Sequence, residues 1–498
     1  MSDYHIAALD IGKTNKKILV YDQDLQIVAE KVTTIDEYTE DGVNRDDVEK
    51  VEKWLVGTLG ELSGDYDIRA LSVSGHGATF TCVDGEGNLA VPEVSYTTDP
   101  GEQFHADFYK EFGSIEDLQV ETGTPNFNLL LNIAKGIWWA RNRYPEQFAR
   151  TKYILNYPQY WGYRFTGNVG AEYTYTGCHG YLWNPKKNDW SSVVDRMGIR
   201  ELMPKKMSLP NESLGVIKPE MATATGLGEN TIMTMGIHDS NAALLPYLIT
   251  RSDDFILDST GTWCVIMRQG EEVKFNDDEL GKVVFFNISA FGKPVKTAIF
   301  LGGMEFEQYN NILQKINGAD GFPPFNRETL QRIVSEKELF ILPQIAEGTG
   351  QFPDSSPRIV ENGRVYDYSD VEDGKEVPEF FKDYETAYLV LNLSLAVQTK
   401  VSLDRAGAYD GIDIFVEGGF RNNEHYNNIL DAFYPGSQVS LTNLEEASAF
   451  GAAFLGKSAV EGRPLEKLGG GLEIEMKPVG GVEVEGLEDY FMKFLSLL

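Results

Sequence analysis

The sequence predicts an α/β protein built from two domains of similar length. Strand-like and helical stretches alternate along the chain, as in proteins that layer helices on sheets. At 498 residues the chain exceeds one comfortable core and suits two domains of roughly 250 residues. A short segment, LDIGKTN at residues 9–15, returns as LDSTGTW at residues 257–263. Such a return about half a chain later is typical of a duplicated domain.

Composition narrows the class of protein. Hydrophobic residues make up 42% of the chain, which is enough for sizeable cores. The formal charge of −32 argues against nucleic acid or an anionic membrane as partner, because both require a basic surface. We expect neither a membrane span nor a signal peptide, since long apolar runs and a basic leader are missing. Three widely spaced cysteines predict buried thiols and a cytoplasmic protein.

The predicted elements follow the same pattern in both halves. In residues 1–248 we predict strands at 4–9, 17–21, 25–32 and 69–73, and helices at 133–143 and 240–248. In residues 249–498 we predict strands at 255–257, 264–267, 411–416 and 438–441, and helices at 384–406, 425–433 and 444–455. The polar, acidic stretch 353–378 is interpreted as a looped surface insertion.

The first repeated segment has residues suited to phosphate. A turn of small residues between two strands can aim backbone N–H groups and the Thr14 hydroxyl at phosphate oxygens. Lys13, Lys16 and Lys17 can offset phosphate charge, and Asp10 can hold Mg²⁺ directly or through water. An ordinary hairpin turn with solvated lysines explains this segment equally well when it is taken alone.

The motif Gly236-Ile-His-Asp239 precedes a helix-like stretch. Capping of a helix N-terminus by the aspartate is the stronger interpretation of the motif alone. Alternatively, Asp239 takes the proton from an attacking hydroxyl as a general base. His238 is interpreted as a packing or supporting residue rather than as the base.

Paired glycines follow the predicted strand 411–416 in the segment Glu417-Gly-Gly-Phe-Arg-Asn422. Gly418 and Gly419 let a backbone approach a flat or anionic ligand closely, and Asn422 can hydrogen-bond a base edge or a ribose. A plain glycine turn explains the segment equally well.

Residues 451–458, GAAFLGKS, match the P-loop pattern letter for letter, but we reject that interpretation. A P-loop follows a buried strand, whereas a helix-like stretch rich in Glu and Ala precedes Gly451. We expect a closely packed helix with Gly456 at its C-terminal end. No GxGxxG opens a βαβ unit, which argues against a dinucleotide-dependent dehydrogenase.

Taken in order, the motifs resemble the FGGY carbohydrate kinases, members of the actin-like ATPase-fold superfamily. The resemblance covers nearly the whole chain and rests on Asp10–Thr14, Ser74–Gly77, Tyr157–Gly167, Glu172–Thr176, Gly236–Asp239, Ser259–Thr262, Gly418-Gly419, Asn422 and Ala447–Ala453. It implies two RNase H-like α/β domains with ATP in the cleft between them. Residues 1–248 would bind the sugar and supply the catalytic aspartate, and residues 249–498 would bind the nucleotide.

The resemblance also implies roles for individual residues, with Asp239 as the general base. The substrate-binding residues would be His76, Gly77, Tyr96, Asp99, Asn128 and Asp239. The ATP-binding residues would be Gly12, Lys13, Thr14, Asn15, Lys17, Thr260, Gly261, Thr262, Gly303, Gly418, Gly419 and Asn422. Asp10 and Asp239 would hold Mg²⁺ with the phosphates of ATP.

The substrate is predicted less sharply. The segment Asn126-Phe-Asn128 looks like one found in rhamnulose and fuculose kinases, which points to a 6-deoxyketohexose such as L-fuculose or L-rhamnulose phosphorylated at O1. Packing by Phe127 and helix capping by Asn128 explain it equally well. The usual Trp-x-Asp-xx-Arg is replaced by a segment with Tyr96 and Asp99, so the pocket departs from a xylulose pocket.

Other interpretations stay open. A kinase of xylulose, ribulose, a polyol or an aldonate fits the same motifs, and an aldonate would require a cation such as Arg164 or Lys135. A non-catalytic, nucleotide-dependent sugar sensor is disfavoured because it would not need Asp239. A glycosidase with paired carboxylates would leave the two phosphate loops unexplained. Whether the protein is a monomer or a homodimer also stays open.

Overall fold

Two seven-stranded sheets, one in each half of the chain, organise the fold and confirm the predicted α/β class. The computed structural model describes residues 3–346, 348–470 and 472–498. In the described part of the chain, no helix combines the length and the apolarity needed to cross a bilayer. Cys82, Cys178 and Cys264 are buried free thiols, as predicted.

The first half of the chain places many short elements between its main strands. In chain order its elements are β1 (His5–Ile11), β2 (Asn15–Tyr21), β3 (Ile27–Thr34), β4 (Tyr38–Glu40), β5 (Val43–Arg45), α1 (Val48–Leu62), β6 (Ile68–Gly75), β7 (Phe80–Val83), α2 (Glu102–Phe112), α3 (Ile115–Thr122), α4 (Ile133–Arg143), α5 (Pro145–Phe148), β8 (Tyr153–Asn156), α6 (Tyr157–Thr166), β9 (Ala171–Glu172), α7 (Tyr173–Thr176), β10 (Trp183–Asn184), β11 (Asp189–Trp190), α8 (Ser192–Met197), β12 (Met207–Ser208), β13 (Ser213–Val216), α9 (Pro219–Thr225), β14 (Ile232–Thr234), β15 (Ile237–His238) and α10 (Asp239–Thr250).

The second half has fewer and longer elements. In chain order they are β16 (Phe255–Thr260), β17 (Cys264–Gln269), β18 (Val284–Ile288), β19 (Pro294–Phe300), α11 (Gly302–Asn317), α12 (Arg327–Glu336), β20 (Leu339–Leu342), β21 (Arg358–Glu361), β22 (Arg364–Asp367), α13 (Tyr368–Glu372), α14 (Tyr384–Ala406), β23 (Asp413–Gly418), α15 (Glu424–Phe433), β24 (Gln438–Thr442), α16 (Ala447–Glu461), β25 (Met476–Pro478) and α17 (Leu487–Leu495). Short 3₁₀ helices occupy Arg200–Leu202, Glu379–Lys382, Gly419–Asn422 and Leu465–Lys467.

Both sheets are built around the same three-strand arrangement. The first sheet has the order β13-β14-β6-β1-β2-β3, with β15 also on β6, and the second has the order β18-β19-β17-β16-β23-β24-β25. In the first sheet β1 pairs antiparallel with β2 and parallel with β6, so that Asp10 lies opposite Lys17 and Ser74. In the second, β16 makes the same two kinds of pairing with β17 and β23. The repeated loop segments therefore join equivalent strands in the two halves.

The segment 353–378 corrects one prediction. It contains β21, β22 and α13, and β21 pairs with β20 in an antiparallel sheet. Ile359 and Val371 are fully or almost fully buried in the core of the second half. The polar composition of the segment misled the prediction, because its few apolar residues suffice to anchor a small sheet.

Helix α16 crosses from the second half of the chain onto the first sheet, where it packs on β1, β6 and α10. The P-loop interpretation is thereby rejected, since residues 451–458 lie within this helix. The predicted end at Gly456 is wrong: the helix runs on to Glu461, and Gly462 ends it in the left-handed region.

Helix α10 continues to Thr250, across the predicted domain boundary between residues 248 and 249. The boundary itself stays a prediction.

The helix contact at Gly451 yields the first testable prediction. A Cβ on Gly451 would lie 1.9 Å from the Ala242 carbonyl oxygen, a backbone atom that cannot turn away. We expect Gly451→Ala to lower the free energy of unfolding by roughly 1–3 kcal/mol, as overpacking does. The measurement is urea unfolding followed by circular dichroism.

Gly57 provides the matched control for this prediction. It lies in helix α1 with open space around the position of its missing Cβ. We expect Gly57→Ala to stabilise the protein by roughly 0.5–1 kcal/mol, because alanine restricts the unfolded chain. Equal effects of the two substitutions would contradict the close helix contact.

Candidate functional site

A cavity of about 320 Å³ brings residues of both halves together. The first half contributes Lys13, His76, Gly77, Ala78, Tyr96, Phe127, Leu131, Cys178, His179, His238, Asp239 and Ser240. The second half contributes Trp263, Val265, Phe285, Asn287 and Ile299. Of the predicted substrate-binding residues, His76, Gly77, Tyr96 and Asp239 therefore line one cavity.

Asp239 is the first residue of α10, immediately after strand β15. The N-cap position predicted for it belongs to His238, whose Nδ1 atom lies 3.2 Å from the Ser240 backbone nitrogen. The Asp239 Oδ1 atom accepts from the same N–H at 2.6 Å and lies 3.0 Å from the His238 Nδ1 atom. Burial works to raise the pKa of the Asp239 carboxyl, but His238 outweighs burial and holds the pKa below its ordinary value.

Asp10 lies at the end of strand β1 and meets the start of α16. Its Oδ2 atom accepts a hydrogen bond from the Ser448 hydroxyl at 3.0 Å. Burial raises the pKa of the Asp10 carboxyl to about 6, and the nearby charge of Asp239 adds to this effect. Lys17 forms an ion pair with Glu446 at 2.5 Å, so the first hairpin is tied to the segment that leads into α16.

Lys13 turns toward the cavity and is neutralised there by two acids. Its Nζ atom lies 2.6 Å from the Asp46 Oδ1 atom and 2.9 Å from the Glu37 Oε2 atom. It also donates to the Ser95 hydroxyl at 2.6 Å. Its predicted role as an ATP ligand stays a prediction, while one observed partner, Asp46, also lies 3.3 Å from the cavity residue His76. Sequence reasoning missed Asp46 and Glu37, because no motif marks them and only the folded loops bring them to Lys13.

The neighbouring carboxyl groups of Asp46 and Glu93 have pKa values shifted in opposite directions. The Glu93 Oε2 atom accepts from the Asp46 N–H at 2.5 Å, and burial together with the Asp46 charge raises the pKa of Glu93 well above its ordinary value. Burial also opposes ionisation of Asp46, but His76, whose Nε2 atom lies 3.3 Å away, and Lys13 hold its pKa well below the ordinary value. The pair therefore favours ionisation of Asp46 and protonation of Glu93.

The predicted ATP-binding segments of the second half converge at the end of β16. A Cβ on Gly303 would lie 2.0 Å from the Gly261 carbonyl oxygen, and one on Gly418 would lie 2.0 Å from the Thr260 carbonyl oxygen. Only glycine permits such close approach, and Gly418 also has a φ of +77°. The Thr260 hydroxyl donates to the Glu417 carbonyl oxygen at 2.5 Å, so it holds the glycine turn rather than facing solvent.

The remaining predicted ATP-binding residues lie around this turn and on the first hairpin. Thr14, Asn15, Gly261 and Thr262 are exposed at the tips of the two hairpins. A Cβ on Gly12 would lie 2.9 Å from the Asn15 carbonyl oxygen, which explains the glycine in the first turn. Asn422 is exposed and lines a different concavity, of about 970 Å³, together with Arg251 and Arg421.

Two predicted substrate-binding residues do not line the cavity. Asp99 is exposed, and its carboxylate accepts a hydrogen bond from the Gly101 N–H at 2.8 Å. Asn128 is also exposed, whereas its neighbour Phe127 does reach the cavity. The loop with Phe127 does reach the cavity, but the turn of the backbone decides which of its side chains enters.

The two candidate cations for an acidic sugar also lie outside the cavity. Arg164 pairs with Glu52 at 2.9 Å. Lys135 is fully buried and donates to the Asn126 side-chain oxygen at 2.7 Å and to the Phe127 carbonyl oxygen at 2.8 Å. Burial lowers the pKa of the Lys135 ammonium to about 7. Its role is to hold the loop that positions Phe127.

One side of the cavity is an apolar wall made of Phe127, Leu131, Trp263, Val265, Phe285 and Ile299, which pack in a single cluster. Cys178 belongs to the same cluster, beside His179 and His238. Burial works to raise the pKa of the Cys178 thiol, but the two imidazoles lower it to about 6. Sequence reasoning missed the wall, although Trp263 is the last residue of the second repeated segment.

Two sheets led by matching hairpins around one cavity define a two-domain protein of the actin-like ATPase fold. The chain belongs to the FGGY family of carbohydrate kinases. Residues 5–246 match the N-terminal domain of the family, and residues 252–464 match its C-terminal domain. The crystal structure of a carbohydrate kinase from Novosphingobium aromaticivorans is similar over 100% of this chain and 99% of that chain, with 25% identity and a TM-score of 0.81.

Curated relatives match over shorter stretches. A rhamnulokinase of Enterococcus faecalis is 25% identical over 52% of this chain and 52% of its own length. An L-fuculokinase of Escherichia coli K12 is 22% identical over 54% of this chain and 57% of its own length. A xylulose kinase of Haemophilus influenzae is 32% identical over 22% of each chain. The aligned region thus spans from about a fifth to little more than half of these relatives.

Asp258, at the end of β16, yields a prediction about stability and pH. Burial raises the pKa of its carboxyl to about 7, although the Tyr426 hydroxyl donates to it at 2.6 Å. Between the ordinary value of 3.8 and about 7, the folded protein holds a proton that the unfolded chain has lost. Wild-type stability should therefore fall with rising pH relative to Asp258→Asn, by up to roughly 1.4 kcal/mol per pH unit.

Urea unfolding at about pH 5 and about pH 8 measures this difference. Tyr426→Phe is the matched variant, because it removes a hydroxyl that stabilises the ionised carboxylate. The loss of stability with pH should be steeper in Tyr426→Phe than in the wild type. A pH-independent gap between wild type and Asp258→Asn would show that the carboxyl titrates alike in both states.

Proposed function

We propose that the protein transfers the γ-phosphate of ATP to a hydroxyl of a small ketose. The observation that supports this most directly is the Asp239 carboxylate, which lines a sugar-sized cavity and is held in its ionised form by His238. The exposed tips of the two hairpins provide backbone N–H groups of the kind that bind phosphate. The proposal includes a cytoplasmic location, where ATP is available.

In the proposed reaction Asp239 accepts the proton of the attacking hydroxyl. The Ser240 N–H and the His238 ring both contact the Oδ1 atom and so orient the carboxylate at the cavity. The apolar wall excludes water from the same space, which protects the phosphate donor from hydrolysis.

Asp10 is the proposed ligand of Mg²⁺, directly or through water. Its carboxylate and the Ser448 hydroxyl are hard oxygen donors of the kind this cation prefers. The raised pKa of Asp10 reflects burial among acids, a setting that a divalent cation would relieve. Bound Mg²⁺ would neutralise the charge of the transferred phosphate group.

The proposed substrate is a 6-deoxyketohexose such as L-fuculose or L-rhamnulose, phosphorylated at O1. The apolar wall suits a methyl group, while Lys13, His76 and Asp239 offer hydrogen bonds to hydroxyls. An aldonate is disfavoured because the Lys13 charge is already neutralised by Asp46 and Glu37. The similarity to a rhamnulokinase and an L-fuculokinase supports the same choice, and the short match to a xylulose kinase makes a pentulose the alternative.

The first test replaces Asp239 with Asn. Loss of the general base should lower turnover by roughly two to four orders of magnitude, while ATP binding stays nearly intact. ADP release with Mg-ATP over a panel of ketoses, aldoses, polyols and aldonates measures turnover. Asp107→Asn, on the exposed face of α2, is the matched control and should behave as wild type. Near-normal turnover by Asp239→Asn would remove this residue from the role of base.

The second test compares sugars that differ in one hydroxyl. L-Rhamnulose is the 6-deoxy form of L-fructose, and L-fuculose is the 6-deoxy form of L-tagatose. A 6-hydroxyl pressed against the apolar wall loses its hydrogen bonds. In one of the two pairs, kcat/KM should therefore be roughly 10–100-fold higher for the 6-deoxy sugar than for its 6-hydroxy counterpart. Equal values within both pairs, or a preference for xylulose, would point to a pentulose or another substrate class.

A further inference from the structure

Cys178, His179 and His238 form a cluster that the proposed phosphate transfer does not use. One ligand atom from each residue lies within 4.8 Å of the others. All three residues line the cavity, so the cluster borders the space proposed for the sugar. A thiolate with two imidazoles is a donor set that suits zinc and related borderline-soft cations.

The ring nitrogens of the two histidines point to the same small space. A Cβ on Gly77 would lie 2.5 Å from the His238 Nε2 atom and 2.8 Å from the His179 Nε2 atom. The absence of a side chain at Gly77 leaves this space free between the two rings. The His238 side chain is only 5% exposed, and its buried Nε2 atom has no hydrogen-bond partner. An unpartnered buried nitrogen is costly unless a ligand satisfies it.

The opposite edges of both rings are already oriented. The His179 Nδ1 atom lies 3.2 Å from the Leu131 carbonyl oxygen, a contact that places the proton on Nδ1 and leaves Nε2 as an acceptor. The His238 Nδ1 atom lies 3.0 Å from the Asp239 Oδ1 atom. Histidine ligands of metals are typically held this way, by a carbonyl or a carboxylate behind the ring.

We propose that Cys178, His179 and His238 bind a zinc-class divalent cation, with a fourth coordination position open to the cavity. This site is separate from the Mg²⁺ position at Asp10, because thiolate and imidazole ligands select a different class of cation from carboxylate and hydroxyl oxygens. A structural site would be closed by a fourth protein ligand, whereas here the open position faces the proposed substrate.

Occupancy of the site bears directly on the candidate cavity. The His238 ring that would bind the cation lies 3.0 Å from the Asp239 Oδ1 atom, so a bound cation places positive charge beside the proposed general base. The cation also takes up space at the cavity wall. Bound zinc therefore inhibits phosphate transfer in competition with the sugar, a consequence that rests on the proposed function.

The test of the site itself needs no enzymatic activity. Purified protein is freed of metal with a chelator and titrated with Co²⁺, which gives a near-ultraviolet charge-transfer band when a thiolate coordinates it. We expect one equivalent to bind wild type with this band. Cys178→Ser should lose the band, and His179→Asn should weaken Co²⁺ binding by roughly 100-fold, since asparagine also tolerates the positive φ of this position.

Cys82→Ser is the matched control, because Cys82 is equally buried but belongs to no cluster of three potential metal ligands in the described structure. It should keep the band at full intensity. Absence of the band in wild type at stoichiometric Co²⁺, or its survival in Cys178→Ser, would overturn the proposal.

Zinc inhibition of ADP release, relieved by chelator and lost in Cys178→Ser, would support the regulatory consequence. Inhibition that persists in Cys178→Ser would overturn that consequence. If no sugar in the panel is phosphorylated, the proposed function fails while the Co²⁺ titration still decides the metal site.

Discussion

The backbone contact between helices α10 and α16 sets the position of the candidate site. Gly451 lies against the Ala242 carbonyl oxygen at a distance that no other residue allows. Helix α10 begins with Asp239, and α16 begins next to Glu446, which pairs with Lys17 of the first hairpin. The close helix contact therefore holds the cavity carboxylate and the first hairpin in a fixed relation, although these residues come from distant parts of the chain.

Two lysines of the first hairpin are paired with carboxylates, so the candidate site has no excess of positive charge. Lys13, at the cavity, pairs with Asp46, and Lys17 pairs with Glu446 next to α16. The whole chain has a formal charge of −32. The proposed binding of phosphate would therefore depend on oriented backbone N–H groups, which add positive potential without net charge. The glycines at 12, 303 and 418 make this possible, because they let backbones approach where a side chain would block them.

Much of the fold could be predicted because it is encoded locally. Helices α4 and α14 begin and end where the periodicity placed them, and the repeated loop segments do join equivalent strands. The stretch 353–378 failed because its polar composition hides a few apolar anchors, such as Ile359. The helix after residue 444 was predicted, but its packing on the opposite half of the protein was not, since periodicity does not specify a partner.

The sequence by itself determined the order of the elements, the two hairpins, the glycine turns and the presence of Asp239 at the start of a helix, because each depends on neighbouring residues. Only the tertiary structure decided which side chains meet in the cavity. Asp46 contacts Lys13, which lies 33 residues away in the sequence. Cys178 lies beside His238 although several strands and helices separate them in the chain, whereas Asp99 does not line the cavity. Such contacts between distant residues depend on long-range packing and on the burial of charge, and neither can be recognised from neighbouring residues in the sequence.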